Sequence, residues 1–476
     1  MRFRMRALSP IHDRACSGAP VKKQTIRIVA ACALIAAIGR GCATYEPKPL
    51  DSTAVRQKLD GRMTNDQEII AVASRLSGAD SGATAAPFDP SDGLTLEEAE
   101  VVALVFNPHL RVARLEVGVT RATAETAGLW DDPVTGINLN DVSQKFGGGL
   151  SMGGQIALTI PISGRLEAEK LRANAALIAD LARVQAQEWD ARLALRTQWA
   201  QWTIASGRVQ VVAATVQAVV QIRGIVERME SSGEVPRVEA RLFRIEQAVA
   251  QAELARLGAT IAEHEVAIKR ILGVAPWAAL KFIPSEMPPA ETRPMAELRD
   301  EMVTCSPLVA SLAASYEVSE KALAAEIRKQ FPDLEIGPTY NTDGNEDFTF
   351  GVAMPLPLWN HNQQGVATAH ARRELMRVRF ETTIELQLGE LENANIVYQR
   401  ARGQRLAMEA DITPLADEQA AEIREIARLG EVNTLLLLES LTRQQEARLT
   451  LITAREDEWM ASIRVAGFVG PPRISP

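Results

Sequence analysis

The chain states one plan twice, with corresponding features about 195 to 199 residues apart. Asn107-Pro108 recurs as Ser306-Pro307, and Trp130-Asp131-Asp132-Pro133 recurs as Gln330-Phe331-Pro332. Gly153 to Pro161 returns as Thr349 to Pro355, and Gly233-Glu234-Val235 returns as Gly430-Glu431-Val432 in the same order. A period this long exceeds the 20 to 50 residues of a solenoid repeat, so it predicts two copies of a whole structural unit.

Each copy changes its hydrophobic period in the same sequence. Thr95 and Glu98 form a capping-box pattern that opens a short helix, and Asn107 then caps a helix begun by Pro108, a device repeated by Ser306-Pro307. Two stretches of period two follow in each half. They carry Ile137 and Leu139, then Ile156, Leu158 and Ile160, in the first copy, and Ile336, Pro338 and Tyr340, then Phe348, Phe350, Val352 and Met354, in the second. This predicts four amphipathic strands joined in pairs by glycine-rich or polar turns at 145–149 and 342–347.

Beyond the strands the period becomes a heptad. Stepping by four and three from Leu177 to Val219 meets eleven apolar residues in thirteen positions, with Glu188 and Gln198 the exceptions, as coiled-coil packing requires. No proline falls between Leu166 and Met229, so one helix of roughly 95 Å is expected. The break Ser231 to Pro236 precedes a second helix from Arg237 to about Leu272, and Pro414 is expected to interrupt the matching segment 364–426. Aromatic residues make up only 5%, which suits thin, extended helical packing.

The first 41 residues hold eight of the 52 basic residues and one of the 60 acidic ones, followed by the apolar run Ile28 to Ile38. That is the pattern of a secretory signal, too short for a permanent membrane helix. The remainder carries 44 basic against 59 acidic residues, a net charge near −15 that argues against nucleic acid as a partner. Gly41-Cys42-Ala43 closes the apolar run and resembles the lipobox of bacterial lipoproteins, with Cys42 as the acylated residue; ordinary cleavage nearby is the alternative. Gly39 and Arg40 depart from that pattern, whereas Val29-Ala30-Ala31-Cys32 fits it but falls too early. Cys305 is then left without a disulfide partner in the chain.

Four strands with one apolar face cannot close a barrel in a membrane, because the smallest barrels need about eight. Several chains donating four strands each can. With these residues in place, the chain over about 94–470 resembles the TolC-type outer membrane factor family, the exit ducts of tripartite efflux pumps and type I secretion systems. Asn360-His361-Asn362-Gln363-Gln364-Gly365 after Pro355-Leu356-Pro357-Leu358 looks most like its heavy-metal cation efflux branch.

The resemblance implies a mainly α homotrimer with a small β part. Four strands per chain would build a 12-stranded outer-membrane barrel above a long periplasmic helical barrel. It divides the chain into a signal at 1–41, a lipid-anchored tail and linker at 42–93, a first repeat at 94–275, a proline-rich linker at 276–293, a second repeat at 294–470 and a tail at 471–476. It implies that Gly233, Glu234, Val235, Gly430, Glu431 and Val432 form the tips that meet a periplasmic adaptor, which links the duct to an inner-membrane pump. Glu239 and Glu439 match positions where relatives place acidic residues near the inner aperture, and threefold symmetry would make each a ring of three carboxylates. A solvated helix face is the alternative reading of both. Ala427 and Val432 replace a tyrosine and an arginine that latch the closed state in some relatives.

His109, His264, His361 and His370 lack ligand spacing, so no metal site and no cofactor are expected. Trp189, Trp199 and Trp202 read as packing residues, and no phosphate loop, nucleophile elbow or triad suggests an enzyme. Two other functions remain open: a duct for type I protein secretion, and a periplasmic coiled-coil lipoprotein that scaffolds without a pore.

Overall fold

The computed structural model describes residues 44–62, 67, 69, 92–142, 149–288, 293–342, 347–428 and 433–471. Cys42, Gly430, Glu431 and Val432 lie outside them, as do the central residues of both predicted hairpin turns. The chain divides into two units, one ending at Gln57 and the other running from Lys58 to Pro476. In the first, residues 44–51 lack regular structure and helix α1 (Ser52–Asp60) begins, with Asp51 Oδ1 accepting from the Thr53 N–H at 2.8 Å.

The second unit opens with α2 (Leu96–Phe106), capped reciprocally by Thr95 and Glu98. Helix α3 (Pro108–Thr126) follows at once. Its cap Asn107 accepts from the His109 and Leu110 N–H groups, and its amide donates to the Ile271 carbonyl at 2.9 Å. Then come β1 (Val134–Val142), β2 (Gly149–Ile160), α4 (Arg165–Ser232) and α5 (Arg237–Leu272). The second series is α6 (Met295–Cys305), α7 (Pro307–Arg328), β3 (Leu334–Asn341), β4 (Asp347–Ala353), α8 (Gln363–Ala407), α9 (Thr413–Arg428) and α10 (Thr434–Val469). Ser306 stands at the start of α7 as expected but makes no side-chain cap, so the two starts are alike in position and unlike in chemistry.

Helix α4 runs unbroken for 68 residues, close to the predicted span, and α5 begins and ends where the breakers Pro236 and Gly273 place it. Gly273 has φ +74°, and a Cβ there would stand 2.0 Å from the Phe106 carbonyl oxygen, so the turn demands glycine both for conformation and for space. The heptad stripe is buried at Val184, Leu195, Trp202, Ala205, Val212, Val216 and Val219 but exposed at Leu181. An 18-residue window of α4 has the length and hydropathy of a membrane span, yet this stripe packs Val212 and Val216 against Ala250 and Leu257 of α5.

Pro414 does not end its helix. Residues Met408–Ile412 form one π-turn between α8 and α9, and the Thr413 N–H reaches back to the Met408 carbonyl. Proline cannot donate and crowds the carbonyl four residues earlier; the wider π-turn accommodates both effects without a break.

The helices align side by side in a fixed order. Around the sheet-proximal half, α3 contacts α4, α4 contacts α7, and α7 contacts α8; toward the hairpin tips, α10 packs against α4 and against α8 and α9. Between these halves lies the largest core cluster, in which Trp199, Trp202 and Phe282 meet edge to face at 5.2 to 5.8 Å. Trp199 is fully buried and donates to the Ile283 carbonyl at 3.2 Å, so the linker residues before Pro284 are packed into the core. A second cluster joins Leu298 and Met302 of α6 to Leu391 and Tyr398 of α8 and to Val465 and Val469 of α10.

Candidate functional site

The sheet is antiparallel in the order β1-β2-β3-β4, with β1 and β4 paired on one side only. Register decides what its faces present. Ile137 stands opposite Gly154, Leu158 opposite Ile336, Pro338 opposite Phe350, and Ile336 opposite Val352. Because directly opposed residues share a face, Ile137, Ile156, Leu158, Ile160, Ile336, Pro338, Phe348, Phe350 and Val352 fall on one face, and Gln155, Thr159, Glu335, Thr339 and Thr349 on the other. The apolar face is exposed in the single chain: Ile137 at 77%, Phe348 at 73% and Val352 at 63%. An uncovered apolar face this extensive belongs against a hydrocarbon phase or a partner.

The sheet is tied to the helices by ionic clips. Arg165, the first residue of α4, pairs through Nε with Asp333 at 2.5 Å and through Nη2 with Asp131. Asp333 Oδ1 also accepts from the Ser163 N–H at 3.2 Å. One guanidinium therefore joins the entry to β1, the exit from β2 and the entry to β3. Burial pushes the Asp333 carboxyl up, but the hydrogen bonds from Arg165 and Ser163 outweigh it and hold the group below the usual carboxylate range. At the exit from β4, Asn362 adopts a left-handed φ of 52° and donates through Nδ2 to the Glu326 carbonyl and Oε2, both at 2.8 Å.

At the opposite end, Gly233 takes φ +82° and closes α4, its N–H bonded to the Glu230 carbonyl. A Cβ at Gly233 would meet nothing within 4 Å, so conformation alone calls for glycine there. Arg244 bridges back to Glu227 and Glu230, each at 3.1 Å, across the first hairpin. Val235 is buried with Ile222, Val226, Ala240, Phe243, Leu437 and Leu441, so the tip of the first hairpin packs on the start of α10. Glu234 is exposed.

The two candidate aperture carboxylates have different surroundings. Glu239 accepts a hydrogen bond from Thr434 Oγ1, between hairpins, whereas Glu439 is exposed and pairs with Arg443 one turn on, at 2.7 Å. Of the histidines, His370 lies 3.4 Å from Arg373 Nη2 and His264 lies 3.5 Å from Gln198 Oε1. No metal-ligating cluster occurs among the described residues.

Sequence reasoning missed one charged network. Glu458 of α10 is buried at 2% exposure and accepts from Arg405 of α8, which also pairs with Glu409 on the π-turn at 2.5 Å; Arg455 reaches Glu409 at 2.7 Å. Burial raises the Glu409 carboxyl, but Arg455 and Arg405 bring it below the usual range. Only the i,i+4 spacing of Arg405 and Glu409 was visible beforehand.

Helical hairpins continued by a four-stranded antiparallel sheet with one exposed apolar face are also the fold of solved outer-membrane channels. The solved structure of the outer-membrane channel OprN superposes with a TM-score of 0.68 at 16% identity, covering 82% of this chain and 95% of that one. CusC, described in terms of transmembrane channel formation, gives 0.65 at 16%, covering 90% of this chain and all of that one. No family model matches the chain.

In sequence, the chain is 24% identical over 413 residues to the cobalt-zinc-cadmium resistance protein CzcC of Cupriavidus metallidurans, covering 82% of this chain and 94% of that protein. The resemblance to the TolC-type outer membrane factors therefore holds in fold, and the likeness to CzcC carries the heavy-metal branch in sequence.

Proposed function

We propose that this protein is the outer-membrane exit duct of a tripartite efflux system, and that it conducts passively what an inner-membrane pump of the RND type and a periplasmic adaptor deliver. The observation that carries this reading is the coincidence of open edges. β1 and β4 each lack one neighbour, and α3 and α8, the end helices of the same row, carry exposed apolar residues: Val112, Leu115 and Val119 on one, Val378 and Leu386 on the other. An unpaired strand edge beside an unpartnered apolar helix face calls for the opposite edge of another copy.

Such head-to-tail contacts close into a ring. Three copies give twelve strands, apolar outside and polar inside, within the size range of membrane barrels. The two series of elements then act as equivalent repeats, 94–275 and 294–470, joined by the linker at 276–293, so the ring presents six similar hairpins. In the membrane the closed barrel leaves no backbone group unpaired, which an open four-stranded sheet cannot achieve. The signal at 1–41 and the lipidated Cys42 would place the chain at the outer membrane with its hairpins in the periplasm.

Tips 233–235 and 430–432 are assigned to adaptor docking. Glu239 and Glu439 are assigned to the inner aperture, with Glu239 engaged by Thr434 in the state described. The cargo is assigned to heavy-metal cations or drugs, the metals being favoured by the likeness to the cobalt-zinc-cadmium resistance protein CzcC. The chain performs no chemistry in this reading and needs no cofactor.

Planar-bilayer recording of the purified full-length protein tests the proposal. Discrete, long-lived conductance steps from a threefold species are expected, and a protein that inserts without any step in every oligomeric state would reduce it to a scaffold. Adjacent genes for a pump and adaptor, rather than for a secreted protein and its transporter, separate efflux from type I secretion.

A further inference from the structure

The junction between sheet and helices carries a girdle and, beneath it, a basic cavity. Large apolar side chains stand exposed where the chain enters or leaves each strand pair: Trp130 before β1, Ile162 after β2, Phe331 before β3, and Leu356, Leu358 and Trp359 after β4. On the reading above, this girdle marks the level at which the hydrocarbon core gives way to headgroups. Just below it, α4, α7 and α8 enclose a cavity of about 740 Å³ that begins at Asn360 and Asn362.

Three guanidiniums, Arg172, Arg372 and Arg379, line the cavity against one carboxylate, Glu326. That carboxylate is committed: it accepts from Lys329 Nζ at 2.7 Å and from Asn362 Nδ2 at 2.8 Å. Among the described residues none of the three arginines forms an ion pair; Arg379 Nη1 donates to Met376 Sδ at 3.9 Å, and the charge of Arg172 helps to hold the Glu326 carboxyl below the usual range. The cavity therefore has an excess of positive charge, and among the described residues Arg172 and Arg372 pair with no carboxylate.

Helix direction decides where those donors point. Both α4 and α8 start at the sheet, and Cα–Cβ bonds in a helix tilt toward its N-terminus, so Arg172 and Arg372 lean up toward the girdle. Arg172 lies seven residues into α4 and Arg372 nine into α8, about 10 and 14 Å below the helix starts. Arginine stems of this kind extend their heads toward the interface, and a guanidinium fork matches a phosphodiester better than any other side chain does.

We infer that this cavity binds the phosphate of an anionic glycerophospholipid from the leaflet facing the helices, with Arg172 and Arg372 as the primary contacts. The inference rests on the membrane placement proposed above. It adds a specific lipid site to a barrel otherwise held by apolar contact.

The test uses the full-length protein in detergent, titrated with phosphatidylglycerol, phosphatidylcholine or inorganic phosphate, and read by native mass spectrometry and thermal midpoint. The wild type should retain about one phosphatidylglycerol per chain in preference to phosphatidylcholine. Arg172→Gln/Arg372→Gln should weaken that retention about tenfold or more, and Arg172→Lys/Arg372→Lys should weaken it less. Arg372→Gln alone, exposed on α8, serves if the double variant does not fold. Equal retention by the wild type and the Gln variants overturns the site. Stabilisation by inorganic phosphate equal to that by the lipid makes it a free-anion site and overturns the lipid assignment. Conductance of the same preparations is recorded separately: a wild type that holds the lipid through these arginines yet forms no pore would defeat the duct reading and leave the site standing.

Discussion

Glu239, near the start of α5, accepts a hydrogen bond from Thr434, the first residue of α10, and so joins the two hairpins of one chain at their tips. The bond sits beside the cluster of Val226, Val235, Phe243 and Leu437, and apolar packing and a charge-assisted hydrogen bond act at one place. Separating the two hairpins of one chain at this point must break this pair.

Thr434→Val keeps the shape of the side chain and removes the donor. A charge-assisted bond contributes about 1.5–3 kcal/mol, so local opening should become at least about tenfold more frequent. Faster amide hydrogen exchange at 226–245 and 434–441, with the sheet unchanged, is the expected result. Unchanged exchange would mean that packing alone holds the tips.

Asn107 and Ser306 occupy equivalent places but contribute unequally. Asn107 is buried, caps α3 with two accepted bonds and donates a third to Ile271, so Asn107→Ala should cost about 2–3 kcal/mol. Ser306 makes no such cap, and Ser306→Ala should cost less than about 1 kcal/mol. Chemical denaturation of both variants in micelles compares them, and equal losses would contradict the assignment.

The Arg405 pair near the π-turn should show strong coupling. Arg405→Met leaves the carboxylate of Glu458, 2% exposed, without its partner, at a cost of about 3–5 kcal/mol. Arg405→Met/Glu458→Met removes both charges and should recover most of that loss. A double variant no more stable than the single one would show that the network's remaining members, Glu409 and Arg455, depend on Arg405 for more than charge.

Acid should release the clip beneath the sheet. The Asp333 carboxyl titrates lower in the folded chain than in the unfolded one, so its contribution is complete above the unfolded value of about 3.9. It disappears as pH falls through the lower folded value. The difference in Tm between the wild type and Asp333→Asn should therefore be constant from neutral pH to about pH 4 and shrink below it. A difference that grows on acidification would reverse the sign and refute the assignment.

Periodicity made much of this fold legible in advance. The alternation around Ile156 and Phe350, the heptad from Leu177 and the break from Ser231 to Pro236 each act within a few residues, where local sterics and amphipathicity decide the outcome. Pro414 misled for a related reason. Its cost is local and certain, but a π-turn three-dimensionally supported by Arg405, Glu409 and Arg455 absorbs it. The clip of Arg165 with Asp333, the Thr434 to Glu239 bond and the arginine-lined cavity join residues about 150 to 200 positions apart, and no spacing rule reaches across that distance.

The sequence by itself determined that each half holds two strands and long helices, because hydrophobic period is a property of the chain alone. Only the tertiary structure decided the register that gathers Ile137, Leu158, Ile336 and Phe350 onto one face, the order that leaves β1 and β4 open at opposite edges, and the partner of each charged group. Those depend on which strands and helices become neighbours, and neighbours are chosen by the summed burial of whole faces rather than by any one segment.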